Sequence, residues 1–160
     1  MIKILFICHG NICRSPMAEF IFKDMVTREG LADKFEIASA ATSTEEIWNG
    51  VGNPVYPPAR QELKAHGIDC GGKRARLLNK EDYEYYDYLI GMDGMNMRNI
   101  ERITGHKRGD KIYKMMEFCG LENDVADPWY TNCFDVTYND IEKGSKAFLK
   151  YLKEEGKIDA

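Results

Sequence analysis

Ile4-Leu5-Phe6-Ile7-Cys8-His9-Gly10-Asn11-Ile12-Cys13-Arg14-Ser15-Pro16 carries the chain from one kind of structure to another within a few residues. Ile4 to Ile7 is an unbroken apolar run that leads straight into Cys8, as expected of a strand buried on both faces in a parallel sheet. Gly10 and Asn11 tolerate the positive φ that a tight loop needs. Ser15 is a favourable helix N-cap, and Pro16 would then take the first helical position, where a missing N–H costs nothing. The stretch therefore predicts strand, loop and helix start in immediate succession.

Such a junction aims backbone N–H groups into a cup, and the helix start adds partial positive charge. Arg14 would close the cup with a permanently charged planar fork that matches two oxygens of a phosphate-like group. Cys8 falls at its base. The field that binds an anion also favours a thiolate, the nucleophilic form of cysteine. A cysteine, five intervening residues and an arginine thus read as a site that binds an oxyanion and attacks it. The competing reading of Cys8 is a small buried hydrophobe. It explains none of the coincidence of strand, Gly-Asn turn, arginine and Ser-Pro helix start.

Composition excludes several classes. The 160 residues, 44% hydrophobic and 30% charged, suit one globular domain over 1–160 with a core of its own. A net charge of −4 argues against general nucleic-acid binding and leaves anion capture to a local field. No stretch approaches the ~20 apolar residues of a membrane helix, and Met1-Ile2-Lys3 leads into too short an apolar run for a secretory signal. The five cysteines read as reduced thiols in a cytoplasm. Zinc on Cys8, His9 and Cys13 would need a second ligand pair. Cys70, Cys119 and Cys133 are scattered singly, so no metal or other cofactor is expected.

The rest of the chain alternates strands with helices. A helix is predicted over residues 15–29, with Met17, Phe20, Ile21 and Met25 facing the core and Gly30 ending it. A strand over 35–39 follows. Residues 45–58, rich in turn pairs, read as irregular. Trp48 within them is either a core cover or an aromatic wall for a flat phenolic substrate. A helix over 58–66, stopped by Gly67, precedes a basic cluster of Lys73, Arg74 and Arg76 that reads as solvated charge. A short helix should start at Lys80. Strands are predicted over 88–91 and 111–114, and Asp93 opens a helix reaching about Ile103, as its cap or as a site residue. Residues 118–132 form a long loop carrying Asp124, Asp127, Pro128, Trp129 and Tyr130, and loops of that length are often functional. The final helix spans 136–154, with Ile141, Ser145, Phe148, Leu149 and Leu152 buried. The expectation is an α/β fold: a three-layer open sheet of about four parallel strands, helices on both faces and a phosphate-binding loop after strand 1. Ligands of such sheets bind beyond the carboxyl ends of the strands, where Cys8 lies.

Cys8-His9-Gly10-Asn11-Ile12-Cys13-Arg14-Ser15-Pro16-Met17-Ala18-Glu19 resembles the signature of the low-molecular-weight protein tyrosine phosphatases. Asp127-Pro128-Trp129, residues 87–96, Ser39-Ala40-Ala41-Thr42-Ser43 and Gly52-Asn53-Pro54 also resemble segments of that family, so the likeness extends over nearly the whole chain. The resemblance implies hydrolysis of phosphotyrosine in a protein, or of a small aryl phosphate, through a phosphocysteine on Cys8, with inorganic phosphate as product and inhibitor. It implies that Asp127 is the general acid and base, that Asn11 holds the loop, and that the Ser15 hydroxyl donates to the thiolate. Cys13 would be the second loop cysteine, able to trap an oxidised Cys8 as a disulfide. His9, Gly10, Ile12, Trp48, Trp129 and Tyr130 complete the expected substrate-binding set. A histidine often found near position 73 in the family supports the loop through a serine; Lys73 stands there in this chain.

Two rivals use the same scaffold. Arsenate reduction by a thiol relay needs a further close cysteine pair, which Cys70 does not supply, and usually Ser-Gln where Ile12 and Pro16 stand. A module that only reads phosphorylated partners has no need of both Cys8 and Asp127.

Overall fold

A computed structural model describes residues 1–158. The chain begins with strand β1 (Ile2–Cys8) and helix α1 (Arg14–Arg28), then strand β2 (Phe35–Ala41). A small hairpin of β3 (Ile47–Trp48) and β4 (Val51–Gly52) leads to helix α2 (Pro57–Ala65) and the short helix α3 (Asp82–Tyr85). Strand β5 (Tyr88–Gly91), helix α4 (Gly94–Thr104) and strand β6 (Ile112–Lys114) follow, and helices α5 (Pro128–Thr131) and α6 (Phe134–Glu154) close the chain. The four main strands form one parallel sheet in the order β2-β1-β5-β6.

The apolar run of the first strand explains the layering, because alternate side chains of a strand face opposite sides of the sheet. Ile4, Phe6 and Cys8 join a core with α1, α2 and α6. Leu5 and Ile7 join a second core, built from Leu78, Tyr86, Met97 and Ile100, on the α4 side. All four of Ile4 to Ile7 are fully buried, so helices cover both faces as expected. The larger core is strongly aromatic: Phe22 of α1 meets Phe6 at 5.9 Å and Phe148 of α6 at 5.4 Å between ring centroids.

Register places the site. Ile7 pairs with Gly91, and Gly91 with Lys114, so three strands end at one level. Cys8 pairs with Ala41 one step beyond. The loops after these strands therefore open at one edge, where Asp93 and the loop after Cys8 meet.

Several local expectations are corrected. α1 starts at Arg14 with Cys13 as its cap residue, and no side chain caps it. Ser15 lies inside the helix because its hydroxyl is engaged by Cys8 and Asn11 instead. Met17 and Ile21 are buried in the core as expected and Phe20 and Met25 pack half-buried against it, but Phe22 and Val26, which the expected stripe left out, are buried there as well. Residues 45–58 are not irregular throughout: Asn49 (φ 49°) and Gly50 (φ 76°) make the paired positive-φ turn of a two-residue hairpin. The long loop contains α5, started by Pro128, and α6 begins at Phe134. Lys73 and Arg76 are not simply solvated. The Lys73 side chain is 14% exposed, and Arg76 bonds both oxygens of Asp82, at 3.1 and 3.2 Å.

Candidate active site

Cys8 leaves the sheet at the end of β1, and the chain turns back around its sulfur. Asn11, at φ 58°, supplies the left-handed residue that the loop requires; asparagine accepts this conformation better than most side chains. The turn brings the backbone N–H groups of Asn11 and Ser15 to 3.3 and 3.4 Å from Cys8 Sγ, and Ser15 Oγ to 3.0 Å. Asn11 Nδ2 donates to Ser15 Oγ at 2.7 Å. That fills an acceptor position of the hydroxyl, whose proton has the sulfur at 3.0 Å and the Ala40 carbonyl at 3.5 Å as acceptors. Asn11 Oδ1 in turn accepts from the Arg76 backbone N–H at 3.1 Å. Asn11 and Ser15, at 1% and 0% exposure, form the foundation beneath the loop rather than its inner wall.

A cavity of about 140 Å³ opens over the sulfur. Cys8, His9, Gly10, Ile12, Cys13 and Arg14 form its floor and one side, and Asp127, Trp129 and Tyr130 face them from the other. Trp129 is braced by the Tyr56 ring at 4.9 Å, and Tyr56 N–H donates to the Ile12 carbonyl at 2.9 Å. Trp48 is outside this wall and 79% exposed. The hairpin turn at Asn49-Gly50 carries it outward, so the slot's aromatic side is Trp129 and Tyr130.

The Arg14 side chain is 3% exposed and heavily restrained. Nη1 donates to Asp93 Oδ2 at 2.7 Å and to the Val125 carbonyl at 2.9 Å, while Nη2 lies 3.6 Å from Asp127 Oδ2. Burial works against its charge, but Cys8, Asp93 and Asp127 outweigh it and hold the guanidinium firmly protonated. Asp93 unites its two expected roles. One oxygen caps α4 through Asn96 N–H at 2.7 Å, and the other orients Arg14. Asp127 is likewise a cap, its Oδ1 accepting from Trp129 N–H at 3.0 Å. Its second oxygen remains directed at the cavity.

Cys13 differs sharply from a reactive thiol. Burial, then the nearby Cys8 and Asp127, push its pKa up to about 12 against the opposing pull of Arg14. Lys73 Nζ donates to the Ser39 carbonyl at 2.9 Å and lies 3.9 Å from Glu19, whose carboxylate accepts from Ser39 Oγ at 2.6 Å. Burial lowers the Lys73 pKa. An ammonium is therefore built into the support of β2 behind the loop. Sequence reasoning missed Glu45 and Glu46, which line the cavity mouth. Glu45 Oε2 is 3.0 Å from His9 Nε2. The Asn49-Gly50 pair is the signal that predicts a hairpin folding these carboxylates back toward the loop. Among the described residues no group of three or more His, Cys, Asp or Glu side chains is arranged to hold a metal ion. No helix among them is long and apolar enough to cross a membrane.

A cysteine at the floor of an amide-lined loop, beyond the carboxyl end of a parallel strand, defines a hydrolase of the cysteine-phosphatase class. The chain belongs to the low molecular weight phosphotyrosine protein phosphatase family, whose model matches residues 3–158. The Bacillus subtilis low molecular weight protein-tyrosine-phosphatase YfkJ is 34% identical over 160 residues, covering 99% of this chain and 100% of that one. Its crystal structure superimposes with a TM-score of 0.89 over 97% of this chain and 96% of the other. The Rattus norvegicus low molecular weight phosphotyrosine protein phosphatase is 38% identical, covering 92% and 94% of the two chains. The crystal structure of the Streptococcus pyogenes low molecular weight protein tyrosine phosphatase, 38% identical, gives a TM-score of 0.83 over 95% and 93%.

Proposed function

We propose that this protein hydrolyses phosphotyrosine in proteins, and small aryl phosphates, in two displacements at phosphorus. The observation that carries this reading is the convergence of two backbone N–H groups and the Ser15 hydroxyl on Cys8 Sγ, below a cavity walled by Arg14 and Asp127. Donors so placed stabilise a thiolate, the nucleophilic form of cysteine. The loop N–H groups and the free edge of Arg14 hold the phosphoryl oxygens as charge redistributes. Sγ attacks phosphorus, the S–P bond forms, and the P–O bond to the phenol breaks. Asp127, protonated at its free oxygen, gives its proton to the departing phenolate. Its carboxylate then takes a proton from water as the water oxygen attacks phosphorus. The S–P bond breaks, inorganic phosphate leaves and the thiolate returns.

Trp129 and Tyr130 at the mouth suit a flat phenolic ring, which favours phosphotyrosine over phosphoserine. All five cysteines are free, and a nucleophile of this kind needs a reducing compartment, consistent with a cytoplasmic enzyme. A thiol relay finds no support in the geometry, because Cys70, Cys119 and Cys133 do not line the cavity. The test is turnover of phosphotyrosine, phosphoserine and para-nitrophenyl phosphate by the wild type and Cys8→Ser. The expected pattern is hydrolysis of the two aryl esters, slow or no hydrolysis of phosphoserine, and loss of turnover in Cys8→Ser with vanadate binding retained. Turnover surviving in Cys8→Ser, or arsenate-dependent thiol oxidation in its place, would overturn it.

A further inference from the structure

A second depression leaves the catalytic cup on the side of His9, which lines both. It has a volume of about 430 Å³ and runs between Thr42-Ser43-Thr44 and the carboxyl half of α4, where Asn99, Arg102 and Ile103 face it. Backbone pairing fixes its near wall: Thr42 N–H donates to the Cys8 carbonyl at 3.0 Å and Ser43 N–H to the His9 carbonyl at 3.1 Å. The groove is therefore rigidly continuous with the loop that carries the nucleophile.

Its chemistry is that of a peptide subsite. Thr42 is 7% exposed, and its hydroxyl has no hydrogen-bond partner, an uncommon state for a buried polar group. Arg102 is exposed, contacts only the Asn99 side-chain oxygen at 3.4 Å, and has no carboxylate within 4.0 Å among the described residues. The rim of the cup itself is acidic: Glu45 and Glu46 line it, and Glu45, next in sequence to Thr44 of the groove wall, lies 3.0 Å from His9. Among the described residues Arg102 is the one Lys, Arg, Asp or Glu side chain that lines the groove, set against the acidic rim of the cup.

Resting on the phosphatase reading above, we propose that this groove receives the peptide segment on one side of the phosphotyrosine, and that Arg102 selects an acidic side chain there. The segment lying across Glu45 and Glu46 is correspondingly selected against acidic residues. His9 is the ridge over which the substrate chain passes between cup and groove.

The test compares phosphotyrosine peptides carrying Asp, Asn or Lys at single positions before or after the phosphotyrosine, with para-nitrophenyl phosphate as a substrate too small to reach the groove. For the wild type, kcat/KM should favour Asp over Lys by about two- to five-fold on one side only, the range of a single exposed ion pair, and less at high salt. Arg102→Ala should abolish that preference and Arg102→Glu reverse it, with para-nitrophenyl phosphate turnover unchanged in both. A peptide preference that survives Arg102→Glu overturns the proposal. So does an equal loss on para-nitrophenyl phosphate, which would mean a general structural effect. A wild type that hydrolyses no aryl phosphate fails the phosphatase reading itself, and this proposal falls with it.

Discussion

Asp127 serves two purposes with one carboxylate. Oδ1 caps α5, and Oδ2 faces Arg14 across the cavity. Asparagine keeps the cap but has no proton to give. Asp127→Asn should therefore leave the melting temperature nearly unchanged and lower kcat by about 10²- to 10⁴-fold for esters with poor leaving groups, and far less for para-nitrophenyl phosphate. A series of aryl phosphates of rising leaving-group pKa measures this; a uniform loss across the series would assign Asp127 to structure alone. At this scale the sequence was most legible where one residue has one local task. Cys8, Arg14 and Asn11 were readable from a single loop. Asp93 was harder, because its bond to Arg14 joins residues 79 apart in the chain, and only the register of β1 with β5 brings them together. Lys73 misled for a related reason: a lysine in a basic cluster reads as solvated until packing places it against Ser39 and Glu19.

The hairpin of β3 and β4 is the element that the sequence hid. It is two residues per strand, too short for hydrophobic alternation to register, and only its Asn49-Gly50 turn betrays it. It sends Trp48 into solvent and brings Glu45 and Glu46 to the cavity. Gly52 seats it against residues 74–76: Asn53 O accepts from Ala75 N–H at 2.9 Å, and Arg74 donates to the Gly52 carbonyl at 2.9 Å. A methyl at position 52 would fall on the Ala75 carbonyl, rigid backbone that cannot step aside. Gly52→Ala should cost about 1–3 kcal/mol in denaturant unfolding and loosen the hairpin, seen as faster amide exchange at residues 46–53. Unchanged stability and exchange would show that the hairpin is not seated there. The long elements fared better: β1, β5, α4 and α6 were placed from periodicity and caps to within a few residues.

Over the whole molecule, burial sets how stability depends on pH. Cys13 rises from its ordinary 9.0 to about 12, mainly by burial, and Tyr88 from 10.0 to about 12, by burial and then by Tyr151. Both pKa values are higher folded than unfolded, so above about pH 9 the unfolded chain releases protons that the folded one retains. Stability must then fall as pH rises, by about 1.4 kcal/mol per pH unit for each such group between its two pKa values. Urea titrations at pH 8, 9, 10 and 11 should show a midpoint that is steady at first and then declines; a flat midpoint to pH 11 would contradict these burial effects. The layered α/β architecture was legible at this scale because each level agreed, from the apolar run of β1 to the alternation of strands and helices. Which helices share a face was not, since that depends on crossovers between distant strands.

The central claim is that phosphate passes through the sulfur of Cys8. Acid-quenching the wild-type enzyme during turnover of an aryl phosphate, followed by peptide mass mapping, tests it most directly. The account predicts a phosphoryl group on Cys8, formed within the first turnover and absent without substrate. Steady turnover with no phosphorylated cysteine, or with the phosphoryl group on another residue, would contradict it.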